Sequence, residues 1–141
     1  MAKVLKIKMT LLDKKIKTTN DTLEQAQTDG RAPWSDIQLD TKDFVVYLDK
    51  YPVTEGHTLV VPRVNTQEQL MKCFDFAVSM GNDNIASSNT DITGYNIGLN
   101  IGASAGQTCM YPHVHLIFRR DGDMNDPRGG IRHVIPEKGK Y

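Results

Sequence analysis

His113 and His115 stand two residues apart in the run GQTCMYPHVHLIFRR, residues 106–120. Side chains alternate faces along a strand, so both imidazoles point to one side and Val114, Leu116 and Phe118 to the other. Paired imidazoles are costly in a core, because each brings a ring nitrogen that needs a partner. Just before them, the turn AGQT (105–108) can offer backbone N–H groups, Gln107 and the Thr108 hydroxyl to anionic oxygens, as a phosphate nest does. His57 opens the run Thr58–Val61, and Asp49 precedes it by eight residues. A neutral imidazole nitrogen beside an anion nest can attack phosphorus and give an adduct that water then opens. That chemistry needs the other nitrogen of the attacking ring held by an acceptor, which fixes the tautomer. A metal ion held by His57, His113 and His115 is a competing arrangement.

The chain has 141 residues, enough for one domain with a real core and too few for two comfortable ones. Lys plus Arg and Asp plus Glu both number 17, so no overall field favours nucleic acid or a membrane. Lys3, Lys6, Lys8, Lys14, Lys15 and Lys17 crowd the start against Asp13 alone. A solvated terminus and a contact to an anionic partner are the two readings of that cluster. No apolar run of about 18 residues and no signal-peptide pattern occurs, so a soluble, cytoplasmic protein is expected. Cys73 and Cys109 form no CxxC pair and read as reduced thiols.

The elements that must position the histidines follow from periodicity. VLKIKMTLL (4–12) alternates apolar residues with Lys and predicts a strand. The polar stretch 18–33 breaks at Gly30 and Pro33 and reads as a short helix or loop. Phe44–Leu48 and Thr58–Val61 predict a hairpin around a turn-rich DKYPVTEG. In 65–88, Thr66 is a plausible N-cap, and Leu70, Phe74, Ala77 and Val78 fall on helical spacing. GYNIGLNIG (94–102) and YPHVHLIFRR (111–120) predict a final strand pair. The expected fold class is α+β, an antiparallel sheet packed with one long helix and a short N-terminal helix.

At these residues the chain resembles the histidine-triad (HIT) hydrolases and transferases. Their signature is His-x-His-x-His before two apolar residues, preceded by Gly-Gln-Thr or Gly-Gln-Ser. Its three histidine positions fall on Tyr111, His113 and His115. PVTEGHTLVVPR resembles the family's Gly-His-Thr-Leu-Val-x-Pro strand, which places His57 at the site. The family's ribose-holding residue, eight positions before that histidine, is here Asp49, and its Asn or Gln before the glutamine is Asn100. The match runs from about 40 to 120, and the ending DPRGGIRHVIPEK resembles bacterial members. One domain over 1–141 is implied, with a divergent region 1–40 and a tail 121–141. Two positions depart from the pattern: Tyr111 replaces the first histidine, and Phe118 replaces a proline.

The resemblance implies a nucleotide hydrolase or transferase acting on dinucleoside polyphosphates or nucleoside phosphoramidates. His113 is the expected nucleophile, His115 an orienting and charge-stabilising partner, and His57 a further site histidine. Gln107, Thr108 and backbone amides would stabilise the phosphoryl charge. Tyr111 would serve for orientation, since a phenol donates a hydrogen bond but carries no positive charge. Asp49 and Asn100 are the expected nucleotide contacts, and Trp34 and Tyr47 are candidate walls for a purine, with core packing as the other reading. No cofactor is required, beyond a divalent metal that can accompany a polyphosphate. The expected partners are nucleotide substrates and a second copy of the chain, with no nucleic acid and no membrane. A nucleotide-binding module with little or no catalysis is the alternative. The tail offers Arg128 and Arg132 around a Gly-Gly hinge; either it folds back beside the Gly-Gln-Thr turn so that one arginine meets the distal phosphates of a long substrate, or it is solvated.

Overall fold

The computed structural model describes residues 21–141; the 4–12 strand and the lysine-rich start lie outside the described residues. The elements in order are α1 (Leu23–Thr28), β1 (Ile37–Asp40), β2 (Phe44–Leu48), β3 (Thr58–Pro62), α2 (Gln67–Ala86), β4 (Ile92–Leu99) and β5 (Val114–Arg120). The strands form one antiparallel sheet in the order β1-β2-β3-β5-β4. This is the expected α+β class, with one long helix and a short N-terminal one. No helix among the described residues is long and apolar enough to cross a membrane.

Strand β5 shows the alternation that its sequence predicts. Val114, Leu116 and Phe118 are buried with Val46, Val60, Cys73 and Ala77, on the side of the sheet that α2 covers. Helix α2 begins at Thr66, whose hydroxyl accepts from the Gln69 N–H at 3.2 Å. Gly81 lets the helix approach the sheet closely, since a Cβ there would lie 2.6 Å from the Tyr95 ring. The other face of β2 and β3 packs Val45, Tyr47, Leu59 and Val61 against Leu23 and Ala26 of α1. Asp21 ties α1 down, accepting from Arg31 at 2.9 Å and from Asn65 at 3.0 Å.

Three boundaries differ from the sequence expectation. The edge strand β1 has no counterpart in the periodicity, because all four of its residues are exposed and no burial pattern marks them. Strand β4 starts at Ile92 and ends at Leu99, short of Gly102, whose φ of 91° opens a 3₁₀ turn over Ala103–Ala105. Pro112 has no N–H to donate, and pairing of β5 begins at Val114, opposite Val60 and Leu99.

Candidate functional site

His113 ends the loop that enters β5, and its Nδ1 lies 2.7 Å from the Tyr111 main-chain carbonyl. A carbonyl only accepts, so Nδ1 carries the proton and Nε2 keeps its lone pair. Burial pushes the ring below the usual histidine range, against the opposing pull of that carbonyl, so the neutral form prevails near pH 7. The Trp34 ring packs beside it at 4.6 Å between centroids.

His115 points to the same side as His113, their rings 5.0 Å apart edge to face. Its Nδ1 lies 2.9 Å from His57 Nε2. The Val53 N–H donates to His57 Nδ1 at 3.1 Å, so that nitrogen is an acceptor. In the neutral ring the proton is therefore on His57 Nε2, which donates to His115 Nδ1. His115 in turn carries its proton on Nε2. Burial lowers both rings, and His115 falls to about 4 with His113 and His57 adding repulsion. The Asp49 carboxylate stands 3.6 Å from His57 Nε2 and accepts from the Tyr51 N–H at 2.8 Å.

A cavity of about 700 Å³ opens on this group. Trp34, Asp49, Asn100, Thr108, His113 and His115 are among its walls, so the structure brings these sequence-derived residues together. Three expectations need correction. The Tyr111 ring is fully buried among Leu59, Val61 and Tyr47, and its hydroxyl donates to the Pro62 carbonyl at 2.6 Å. Only the main chain of Tyr111 reaches the site. Gln107 lines the cavity, but its amide is committed to its own loop: Oε1 accepts from Gly102 N–H at 2.8 Å and Nε2 donates to the Cys109 carbonyl at 3.1 Å. The nest is also smaller than expected. The amides of Ala105, Gly106 and Gln107 are bonded within the turn, which leaves the Thr108 N–H and hydroxyl without partners among the described residues. Tyr47 is a core residue whose hydroxyl accepts from Gln27 at 3.1 Å, so Trp34 is the aromatic wall.

The tail does not reach the Gly-Gln-Thr turn. It forms 3₁₀ turns at Gly130–Val134 and Pro136–Lys138, the first of them against β4. Arg128 lies 3.9 Å from Asp126, and Arg132 donates to the Lys138 carbonyl at 2.9 Å and covers the Tyr141 ring. Neither arginine lines the cavity. The carbonyls of the tail's own turns hold Arg132 instead. Sequence reasoning also missed Val53, because a contact made by a backbone N–H leaves no trace in residue type.

Asp49, His57 and His115 bring potential metal-ligand atoms within 4.8 Å of one another, whereas His113 lies outside that group. Their bonding does not fit an ion. To ligate through Nε2, neutral His57 would need its proton on Nδ1, where the Val53 N–H already donates.

The HIT domain profile matches residues 33–122. The chain belongs to the HIT domain family. An uncharacterized HIT-like protein of Saccharolobus solfataricus is 37% identical over 101 residues, 67% of this chain and 68% of that one. An AP-4-A phosphorylase of Mycobacterium tuberculosis is 34% identical over 84 residues, 55% of this chain and 43% of the phosphorylase. The chain thus spans less than half of that enzyme. The crystal structure of a zinc-bound histidine triad family protein from Mycobacterium smegmatis superposes with a TM-score of 0.59 at 29% identity. That match covers 75% of this chain and 80% of the mycobacterial chain.

Proposed function

We propose that this HIT domain cleaves the bond between a nucleoside α-phosphate and its leaving group through a nucleotidyl intermediate on His113. The observation that carries the reading is the Nδ1 contact to the Tyr111 carbonyl, which leaves a bare, neutral Nε2 facing the cavity. Attack by Nε2 forms the nitrogen–phosphorus bond as the leaving group departs with the bonding pair. The positive charge of the modified ring is shared with the Tyr111 carbonyl. Water then adds to phosphorus, releases the nucleoside monophosphate and returns the lone pair to Nε2.

The neighbours fit supporting roles. His115, kept neutral by burial, donates from Nε2 to a phosphoryl or leaving oxygen rather than acting as a strong acid. The Thr108 hydroxyl and N–H take a non-bridging oxygen. Asp49 and Asn100 suit ribose hydroxyls, and Trp34 suits the base. Gln107 holds the loop that presents Thr108. Dinucleoside polyphosphates and nucleoside phosphoramidates are the substrate classes that the family resemblance brings. The AP-4-A phosphorylase among its relatives agrees with a nucleotide substrate.

Turnover of adenosine 5′-phosphate derivatives by the wild type and by His113→Ala tests the reading. The variant is expected to keep the fold and lose about a thousandfold or more in rate. Wild-type rates in the variant on every substrate would overturn it. Nucleotide binding without turnover in the wild type would assign a binding module instead.

A further inference from the structure

The tautomer of His113 depends on the Tyr111 carbonyl, so a group that holds that carbonyl in place acts on the nucleophile. No main-chain to main-chain hydrogen bond among the described residues holds residues 108–112, the stretch that carries it. Side chains hold the stretch instead. Gln107 donates to the Cys109 carbonyl at 3.1 Å, the Tyr111 hydroxyl to the Pro62 carbonyl at 2.6 Å, and Arg31 Nη1 to the Met110 carbonyl at 3.3 Å. The Met110 and Tyr111 carbonyls belong to the two rigid peptide units that meet at the Tyr111 Cα. Downstream, Pro112 has a fixed φ and Val114 is anchored in the sheet. Upstream, the Met110 carbonyl has Arg31. A turn of that upstream unit shifts the Tyr111 main chain, and its carbonyl moves off His113 Nδ1.

Arg31 is itself placed by the end of α1. Gly30, with a φ of 84°, turns the chain there, and the Arg31 and Ala32 N–H groups both donate to the Ala26 carbonyl, at 2.8 and 3.2 Å. Its Nε donates to Asp29 at 2.9 Å and its Nη2 to Asp21 at 2.9 Å, while Asn65 holds the other Asp21 oxygen at 3.0 Å. The guanidinium lies over the Tyr111 ring, 6.0 Å from its centroid. Three residues on, Trp34 packs against the His113 ring, so one short segment touches both ends of the stretch. The two carboxylates offset the guanidinium charge. The group can therefore hold a carbonyl near a ring that turns positive when it bonds to phosphorus. Arg31 lines no part of the cavity on the histidines.

We propose that Arg31 is a positioning residue of the reaction, holding the Met110 peptide so that the Tyr111 carbonyl keeps the proton on His113 Nδ1 and the lone pair on Nε2. The proposal rests on the nucleotidyl-transfer reading above. Without the guanidinium the stretch turns, the Nδ1 contact opens part of the time, and the neutral ring shares its proton between both nitrogens. A ring protonated on Nε2 cannot attack phosphorus, whereas the walls that hold the nucleotide are untouched. The loss falls on kcat and spares KM.

The test compares the wild type, Arg31→Gln, Arg31→Lys and Asn65→Ala in turnover of adenosine 5′-phosphoramidate and in nitrogen-15 spectra of the His113 ring near pH 7.5. Arg31→Gln is expected to lower kcat by about tenfold or more with KM within about twofold, and to show His113 partly protonated at Nε2. Arg31→Lys keeps a positive charge for Asp21 and Asp29, and so the fold, but gives up the planar fork; it moves both readouts in the same direction. Asn65→Ala loosens the same Asp21 without touching Met110, so it lowers stability and leaves kcat and the ring as in the wild type. Wild-type kcat with an unaltered ring in every folded Arg31 variant would overturn the proposal, and so would an equal loss of kcat in Asn65→Ala. Absence of His113-dependent turnover in the wild type would overturn the nucleotidyl reading. The spectra then still decide the positioning: an Nε2 proton confined to the Arg31 variants supports it, and one identical ring in all four proteins refutes it.

Discussion

The His113 ring nitrogen Nδ1 is bonded to the main-chain carbonyl of Tyr111 across 2.7 Å, a contact that any residue at position 111 can make. With the Val53 N–H on His57, it assigns one tautomer to each ring of the site. Nitrogen-15 spectra of the imidazoles near pH 7.5 should show His113 protonated at Nδ1, and His57 and His115 at Nε2. A proton on His113 Nε2 would remove the nucleophile.

The same contact explains how Tyr111 can stand at the first histidine position of the motif. The Tyr111 ring supports the core, and its hydroxyl pairs with the otherwise buried Pro62 carbonyl. Tyr111→Phe should lower stability by about 1–3 kcal/mol, measured by denaturant unfolding, because that carbonyl loses its donor. The rate should change less than about twofold, since the main-chain carbonyl remains. A large rate loss at full stability would place the phenol in the reaction.

Acid should destabilise the protein in a defined window. Burial holds His113, His57 and above all His115, at about 4, below the ordinary histidine value of 6.5. Between those values the unfolded chain binds protons that the folded one refuses, so stability is full above pH 6.5 and falls toward pH 4. His115 alone contributes at most about 3 kcal/mol to that loss. Melting temperatures from pH 8 to pH 4 should show the decline, and His115→Gln should flatten it. A flat wild-type profile between pH 6.5 and 4.5 contradicts the burial of neutral rings.

We propose that the chain pairs with a second copy. Leu70 and Phe74 pack toward the sheet as their spacing predicts, but Met71 and Val78 are exposed on α2, seven residues apart, with Ile85 the next in the series. Among the described residues, strand β4 also forms one edge of the sheet. Sedimentation at micromolar concentration should give twice the chain mass, and Val78→Glu should reduce it. The mass of a single chain for the wild type would exclude the pair.

The histidine face, the hairpin and the long helix were legible because their apolar residues repeat at the strand and helix periods. Thr66 was legible as a cap because a hydroxyl at that place has one favoured use. Strand β1 was not, since an exposed edge needs no alternation. Gln107 and Tyr111 were located by their motif, yet the motif does not say where an amide or a phenol points. Gln107 satisfies two loop groups, and Tyr111 fills the space beside α1. The tail arginines looked free in sequence because the carbonyls that hold Arg132 come from residues 138 and 139, brought near only by the 3₁₀ turns.

The central claim is a covalent nucleotidyl adduct on one ring nitrogen of one histidine. Rapid acid-free quenching of the wild type with a labelled adenylate, followed by peptide mass mapping, measures it directly. An adenylyl group on the peptide containing His113, labile in acid, stable in base and absent from His113→Ala, is the expected result. Product formation by the wild type with no adduct on His113 at any time, or with the adduct on another residue, would contradict the account.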